Sequence, residues 1–287
     1  MWNLFNRNTI SNSSASKRSL QLITQKGMPF AYVEAYKALR TNLNFLSGSG
    51  DVHAFVVTST VPEEAKSNVS VNLALALTES GKKVVLVDCD LRKPVLHRYL
   101  KAGHNLKGVS NVLSRQVALS DALVELKDIP NLTFLPAGTT PPNPSELLSQ
   151  PQMQEMVDTL RGSYDFVILD APPISMVTDA AVIGRIVDGA LFVVRSKYAS
   201  TDAVKTALEK LQGAGVKVLG AVLTRYDAKK SLKRSDYGYG YYYYNSNYSY
   251  GPPPDGISES AAKKSGLTSK KQHNGKEKHS VHTEDEA

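Results

Sequence analysis

The sequence predicts an α/β fold, a mostly parallel β-sheet flanked by helices on both faces. Three observations predict it. Apolar, β-branched runs recur at Phe55 to Ser59, Lys82 to Asp88, Leu132 to Pro136, Asp165 to Asp170, Gly189 to Arg195 and Val216 to Thr224, and they read as buried strands. Helical patterns fall between several of them, at Val69 to Leu77, Thr178 to Val187 and Thr201 to Gln212, and such alternation argues for a parallel sheet covered on both faces. Polar residues follow three of the strands, Lys66/Ser67, Asp88/Asp90 and Asp170, and ligands of parallel sheets bind at the carboxyl ends of strands.

The chain has 287 residues, 41% of them hydrophobic, which suffices for one α/β domain with a sizeable core and tails. Much of the net charge of +7 lies in the end segments, so a basic tail near anionic lipid explains it as well as nucleic acid does. The single cysteine, Cys89, excludes an internal disulfide and fits a reducing compartment. No apolar run approaches the ~18–20 residues of a membrane span, and Met1 to Arg7 lacks a signal-peptide core. A cytoplasmic protein is expected.

Residues 1–28 are rich in Ser, Asn, Lys and Arg and form an expected flexible segment. Glu34 to Leu46 has helical periodicity, with Tyr36, Leu39, Leu43 and Leu46 on one face and Glu34, Lys37 and Arg40 in a second row. On residue chemistry alone that row is a solvated stripe with weak intrahelical pairs.

The stretch from Phe55 to Asn68 then combines strand, tight polar loop and a helix that opens with Lys66-Ser67. This is the skeleton of a phosphate-binding loop, the feature expected of a P-loop NTPase fold. Backbone N–H groups and the helix N-terminus surround an anion, lysine adds a point charge for the β- and γ-phosphates, and the serine hydroxyl ligates Mg²⁺. Pro62, Glu64, Ala65, Lys66, Ser67 and Asn68 are the candidate nucleotide-binding residues. Thr60 and Ala65 occupy places where the full pattern has glycine, favoured there because backbone must approach phosphate oxygens, often at unusual φ. The plain alternative is an ordinary strand–helix turn.

Ser80-Gly81 ends the loop helix. Asp88 closes the next strand, with Cys89-Asp90-Leu91-Arg92-Lys93-Pro94 beyond it, and His97 with Arg98 lies in a short amphipathic turn as a structural or surface residue. Short helices are expected at Gly108 to Leu113 and at Ser120 to Leu126, and Gly138 to Leu148 is a rigid loop feeding a helix. Asp170 closes a further strand before Ala171-Pro172-Pro173. A single Asp after an apolar strand is usually a turn or cap residue. Three carboxylates in this order argue for one site.

With these residues the chain, over roughly positions 30–250, resembles the bacterial tyrosine kinases of capsule and exopolysaccharide synthesis. Pro62 to Ser67 matches a modified Walker A, Val87 to Pro94 a Walker A′, and Ile168 to Pro173 a Walker B motif. The resemblance implies ATP and Mg²⁺ as cofactors and phosphoryl transfer to protein tyrosine. It implies that Lys66, Asp88, Asp90 and Asp170 are catalytic, with Asp88 orienting or deprotonating the phenol and Ser67, Asp90 and Asp170 around the metal. It also implies that the Glu34/Lys37/Arg40 row joins copies into a ring, Lys37 replacing an arginine and losing its bidentate pairing. As partners it implies a transmembrane adaptor of the chain-length-regulator type, which would hold the kinase at the inner face of the membrane, and a cognate tyrosine phosphatase. No nucleic-acid partner is expected.

The kinase domain is expected over 29–227, with a disordered tail over 228–287. The tail holds eight of the fourteen tyrosines, Tyr237, Tyr239, Tyr241, Tyr242, Tyr243, Tyr244, Tyr248 and Tyr250, interleaved with Gly, Asn and Ser. On composition it is a flexible aromatic tail or a stacking platform; the resemblance makes these tyrosines phosphoacceptors, modified in trans. Two rivals differ in class. A Min/Par-type positioning ATPase shares the carboxylate strands but gives no reason for the tyrosines. A non-catalytic scaffold would explain Glu63, which brings a carboxylate into a phosphate loop, and Ala65. No internal repeat is evident.

Overall fold

A computed structural model describes residues 21–48 and 52–226. The tyrosine cluster 237–250 lies outside the described residues. The elements follow in the order α1 (Phe30–Gly48), β1 (Ala54–Ser59), α2 (Lys66–Thr78), β2 (Val84–Asp88), α3 (Leu96–Tyr99), α4 (Val109–Leu113), α5 (Leu119–Ala122), β3 (Val124–Glu125) and β4 (Leu132–Leu135). They continue with α6 (Pro144–Leu148), α7 (Pro151–Arg161), β5 (Phe166–Asp170), α8 (Asp179–Gly184), β6 (Ala190–Arg195), α9 (Thr201–Gly213) and β7 (Val218–Thr224).

The seven strands form one sheet in the order β3-β4-β2-β5-β1-β6-β7. All neighbours pair in parallel except β3 with β4. Strands β1, β2 and β5 are buried along their whole length, as strands covered on both faces must be. Alternation splits their side chains between two layers. Val167 and Leu169 of β5 pack with α4 and α6–α9, whereas Phe166 and Ile168 pack with α1 and α2. The expected P-loop-type architecture is therefore present.

Two local expectations change. The helix expected through Leu126 stops at Ala122, because Val124 and Glu125 pair antiparallel with Phe134 and Thr133 of β4. Covering an otherwise bare sheet edge outweighs a weak local helical pattern. The helix α7 was not foreseen, although Pro151 stands at its start and Met153, Met156, Val157 and Leu160 recur at helical spacing, all buried.

On α1, Tyr36 and Leu43 are buried as expected, while Leu46 is 39% exposed. Arg40 donates to the Ala76 carbonyl at 2.8 Å, tying α1 to the last turn of α2. Lys37 pairs with Glu34 at 2.8 Å along the same helix.

Candidate active site

The sheet order places β5 between β1 and β2. Register then sets Asp170 opposite Asp88 on one side and opposite Val57 on the other, just before β1 enters its polar loop. The Pro-Pro segment after Asp170 is sewn to that loop. Thr58 Oγ1 donates to the Pro172 carbonyl at 2.8 Å, and the amides of Ile174 and Ser175 donate to Ser59 and Thr60 at 3.0 and 3.2 Å. Three strand ends are thus fixed around one point.

The loop enters α2 through Ala65, whose backbone is left-handed at φ 73, with Glu63 likewise at φ 70. A non-glycine residue in this region costs about 1 kcal/mol or more, so the conformation that normally calls for glycine is kept without it. Ala65 gives α2 no side-chain cap, and the first-turn amides of an uncapped helix face outward as an anion site. Glu64 is fully buried. Its carboxylate accepts from the Val61 amide at 2.9 Å and the Arg195 amide at 3.1 Å, and its carbonyl accepts from Thr224 Oγ1 at 2.9 Å. Its side chain therefore braces the loop against β6, and its main-chain carbonyl against β7. Pro62 lies in this loop and has no amide proton to offer an anion. Asn68 turns its side-chain carbonyl to the hydroxyls of Tyr32 and Tyr36, at 3.0 and 3.2 Å, so its side chain locks α2 to α1. Among the described residues Thr60 Oγ1 is buried without a hydrogen-bond partner, a cost glycine would not incur.

Glu63, whose carboxylate the scaffold reading brings into the phosphate loop, is held by residues of β6 and the turn after it. Its carboxylate accepts from the Tyr198 hydroxyl at 3.4 Å, and its carbonyl accepts from Arg195, whose guanidinium stacks 4.2 Å from the Tyr198 ring.

Lys66 Nζ lies 3.1 Å from Asp90 Oδ2, 3.3 Å from Asp170 Oδ2 and 3.3 Å from Ser67 Oγ. Ser67 Oγ donates to Asp170 Oδ2 at 2.6 Å, and Ser70 Oγ to Asp170 Oδ1 at 3.0 Å. Asp88 accepts from the amides of Asp90 and Leu96, both at 3.2 Å, and Asp90 accepts from the Lys93 amide at 3.0 Å. Burial pushes the Asp88 carboxyl up to about 8, reinforced by Asp170 and only partly offset by Lys66. Burial also raises Asp170, against the pull of Lys66 and Ser67. For Lys66 burial opposes the charge, but Asp170, Asp90 and Asp88 together hold the ammonium above its ordinary range. Three carboxyl groups thus crowd one ammonium in a sheltered place.

Among the described residues no three His, Cys, Asp or Glu side chains are set to hold a metal by themselves. Mg²⁺ typically takes one or two carboxylates plus hydroxyl, phosphate and water oxygens. The hard oxygen pair Ser67–Asp170, with Asp90 beside it, fits that demand.

A second cluster stands next to the first. Arg92 reaches the fully buried Asp179 at the start of α8, Nε to Oδ2 at 3.1 Å, and donates to Ser145 Oγ at 2.8 Å. Ser145 in turn donates to Asp179 Oδ1.

A family model for the AAA domain matches residues 64–217. The chain is 37% identical over 205 residues to tyrosine-protein kinase YwqD of Bacillus subtilis (strain 168), covering 71% of this chain and 84% of that one. It belongs to the bacterial tyrosine-protein kinases. The solved chimerical protein CapA2B2 is 35% identical with a TM-score of 0.66, over 71% of this chain and 88% of that one. The septum site-determining protein MinD of Pyrococcus horikoshii OT3, complexed with Mg-ADP, shares 26% identity at a TM-score of 0.53, over 61% and 71% of the two chains.

The tyrosine kinase thus brings together Lys66, Ser67, Asp88, Asp90 and Asp170. The row of Glu34, Lys37 and Arg40 stands apart on α1, its contacts made within the chain. Sequence reasoning missed Ser70 and Asp179, and it gave Arg92, inside the Walker A′ match, and Ser145, beside its loop, no partner. Ser70 follows Lys66 by one helical turn, a signal that was available. The Arg92–Asp179 pairing spans 87 residues and had no local signal.

Proposed function

We propose that this tyrosine kinase transfers the γ-phosphoryl group of ATP to tyrosines of its own cluster 237–250, between copies in a ring. The setting proposed is capsular or exopolysaccharide synthesis at the inner face of the membrane, reached through a transmembrane adaptor and reversed by a tyrosine phosphatase. The observation that carries the chemistry is the convergence of Lys66, Ser67, Asp88, Asp90 and Asp170 at the carboxyl ends of three adjacent strands.

Mg²⁺, when bound with ATP, would neutralise charge on the β- and γ-phosphates. Ser67, Asp170 and Asp90 would hold it. Lys66 would leave its two carboxylates to meet the phosphates, while the first-turn amides of α2 cradle them. The bond between the γ-phosphorus and the ADP oxygen breaks as the tyrosine oxygen bonds to phosphorus. Asp88 orients the phenol and takes its proton, and a carboxyl that titrates near neutral pH suits that role. Each phosphotyrosine brings about −1.5 to −2 charge, so a heavily modified tail repels its neighbours and leaves the ring. Among the described residues no helix is long and apolar enough to cross a membrane, which is compatible with recruitment by an adaptor.

The test mixes a Lys66→Met chain that keeps its tail with an active chain lacking residues 237–250, in Mg-ATP. Phosphotyrosine on the inactive chain, read by mass spectrometry, is expected. An unmodified tail there, beside normal autophosphorylation of the wild type, overturns transfer between copies.

A further inference from the structure

From Leu91 to Ser120 the chain has no Asp or Glu but carries Arg92, Lys93, Arg98, Lys101, Lys107 and Arg115. Arg92 is neutralised by Asp179, and Arg115 borders a different surface beside Glu155. The other four, Lys93, Arg98, Lys101 and Lys107, are exposed, and among the described residues none is in an ion pair. His97 and His104 fold the stretch back on itself, their rings 5.7 Å apart. The stretch is fastened to the active site by its backbone: the Lys93 amide donates to Asp90 at 3.0 Å and the Leu96 amide to Asp88 at 3.2 Å. An exposed, unneutralised cationic stretch therefore begins within a few residues of both Walker A′ carboxylates.

We infer that this surface, residues 93–107, binds the phosphotyrosine product, keeping a partly modified tail beside the site while further tyrosines are modified. The inference rests on the proposed tail phosphorylation. The tail from Tyr237 to Tyr250 has no charged residue, so the surface has no electrostatic hold on it before transfer. Each phosphate then adds about −1.5 to −2 charge. Four cations balance roughly two phosphotyrosines, and further phosphates exceed what the surface neutralises. Retention therefore acts early in the series and fades late, in keeping with release of a heavily modified tail. Three of the four cations are lysines, which meet phosphate as point charges. An anionic lipid surface is the competing occupant, but it explains neither the attachment to the two carboxylates nor the placement beside the transfer site.

The test uses the full Lys66→Met chain without nucleotide and a synthetic peptide of residues 237–250, unmodified or bearing two phosphotyrosines. Fluorescence anisotropy should show binding of the phosphopeptide that weakens with salt, and little binding of the unmodified peptide. Adding Arg98→Gln, Lys101→Gln and Lys107→Gln should weaken binding roughly 10-fold, the sum expected of three exposed charge pairs. The charge-keeping set Arg98→Lys, Lys101→Arg and Lys107→Arg should retain it, and matching melting curves exclude misfolding. Equal binding of both peptides, indifference to the neutral set, or binding of phosphatidylserine vesicles without phosphopeptide binding each overturns the inference. Because the phosphates are supplied synthetically, these outcomes do not depend on whether the chain makes them. The kinase proposal fails separately, through an unphosphorylated tail in the active chain.

Discussion

Ser67 donates its hydroxyl hydrogen to Asp170 Oδ2 at 2.6 Å, while Ser70, one turn along α2, holds the other oxygen of the same carboxylate at 3.0 Å. One residue opens the helix and the other closes its first turn, so α2 and the Walker B strand are pinned at two points. The two serines nevertheless have different chemistry ahead of them. Ser67 lies beside Lys66, which also contacts Asp90, and is the hydroxyl proposed to meet the metal. Ser70 Oγ also lies 3.1 Å from the Lys66 carbonyl, so its single hydrogen is shared between that carbonyl and Asp170.

Ser67→Ala is accordingly expected to abolish the difference between ATP with and without Mg²⁺ in a thermal-shift assay. Ser70→Ala is expected to keep it, with at most about 1 kcal/mol of lost stability. For scale, ligand at one hundred times its dissociation constant stabilises a fold by about 2.7 kcal/mol, so loss of the metal-dependent part is readily measured. An unchanged Mg²⁺ effect in Ser67→Ala would remove this residue from the metal site.

Asp88 provides a pH signature of the nucleotide-free protein. Burial first, then Asp170, raises its folded-state carboxyl to about 8 from an ordinary value of 3.8. The folded state thus keeps a proton that the unfolded chain gives up. Its contribution to stability is complete below about 3.8 and is lost as the pH rises to about 8. Denaturant midpoints should fall between pH 6 and pH 8.5, and Asp88→Asn, which has no proton to lose, should flatten that decline. A decline of equal slope in the variant would assign it to another group.

Arg92 is the test of how the second cluster supports the first. Arg92→Ala leaves the buried Asp179 with Ser145 as its remaining side-chain donor. Because Arg92 itself is 37% exposed, a loss of about 1–3 kcal/mol is expected rather than the larger cost of breaking a fully buried pair. Arg92→Lys should recover little, since a lysine cannot reach Asp179 and Ser145 together as a planar fork. Chemical denaturation of the three proteins decides it, and full recovery by lysine would reduce the contact to simple charge pairing.

The sheet and the site differed in how much of them could be read from the sequence. Strands β1, β2 and β5 are buried on both faces, so their apolar runs are long and unambiguous, and the polar residues at their ends mark where the sheet meets ligand. Lys66, Ser67, Asp88, Asp90 and Asp170 were legible for that reason. The two-residue strand β3 was not, because pairing with β4, not local pattern, creates it. Nor were the directions of side chains within the loop. Glu63 turns to Tyr198, Glu64 turns inward to two amides, and Asn68 turns to α1. Apart from the Val61 amide, three residues from Glu64, these partners lie from 32 to 135 residues away in the chain.

Ala65 sits at φ 73 without glycine's freedom. Ala65→Gly relieves about 1 kcal/mol of native strain but also loosens the unfolded chain by about 0.4–1 kcal/mol. Stability should therefore stay within about 0.5 kcal/mol of the parent by denaturant titration, with autophosphorylation unchanged or raised. A large loss of activity at unchanged stability would mean that the alanine methyl itself shapes the phosphate cradle.

The row on α1 calls for separate treatment of its members, because their contacts within the chain differ. Arg40 donates to the Ala76 carbonyl at 2.8 Å, so Arg40→Ala removes a tie between α1 and α2 and lowers stability by about 1 kcal/mol whether or not copies assemble. Loss of assembly in that variant alone would be ambiguous. Glu34 makes a half-exposed pair with Lys37 on the same helix, worth a few tenths of a kcal/mol. Glu34→Ala is therefore the informative substitution: its melting curve should match the parent's, while sedimentation velocity should show fewer assembled copies and mass spectrometry less phosphate on the tail. Glu34→Lys should go further, placing like charges at the same contact. If Glu34→Lys assembles as the parent does, the row is only the solvated stripe that its intrachain pairing describes, and transfer between copies must use another surface.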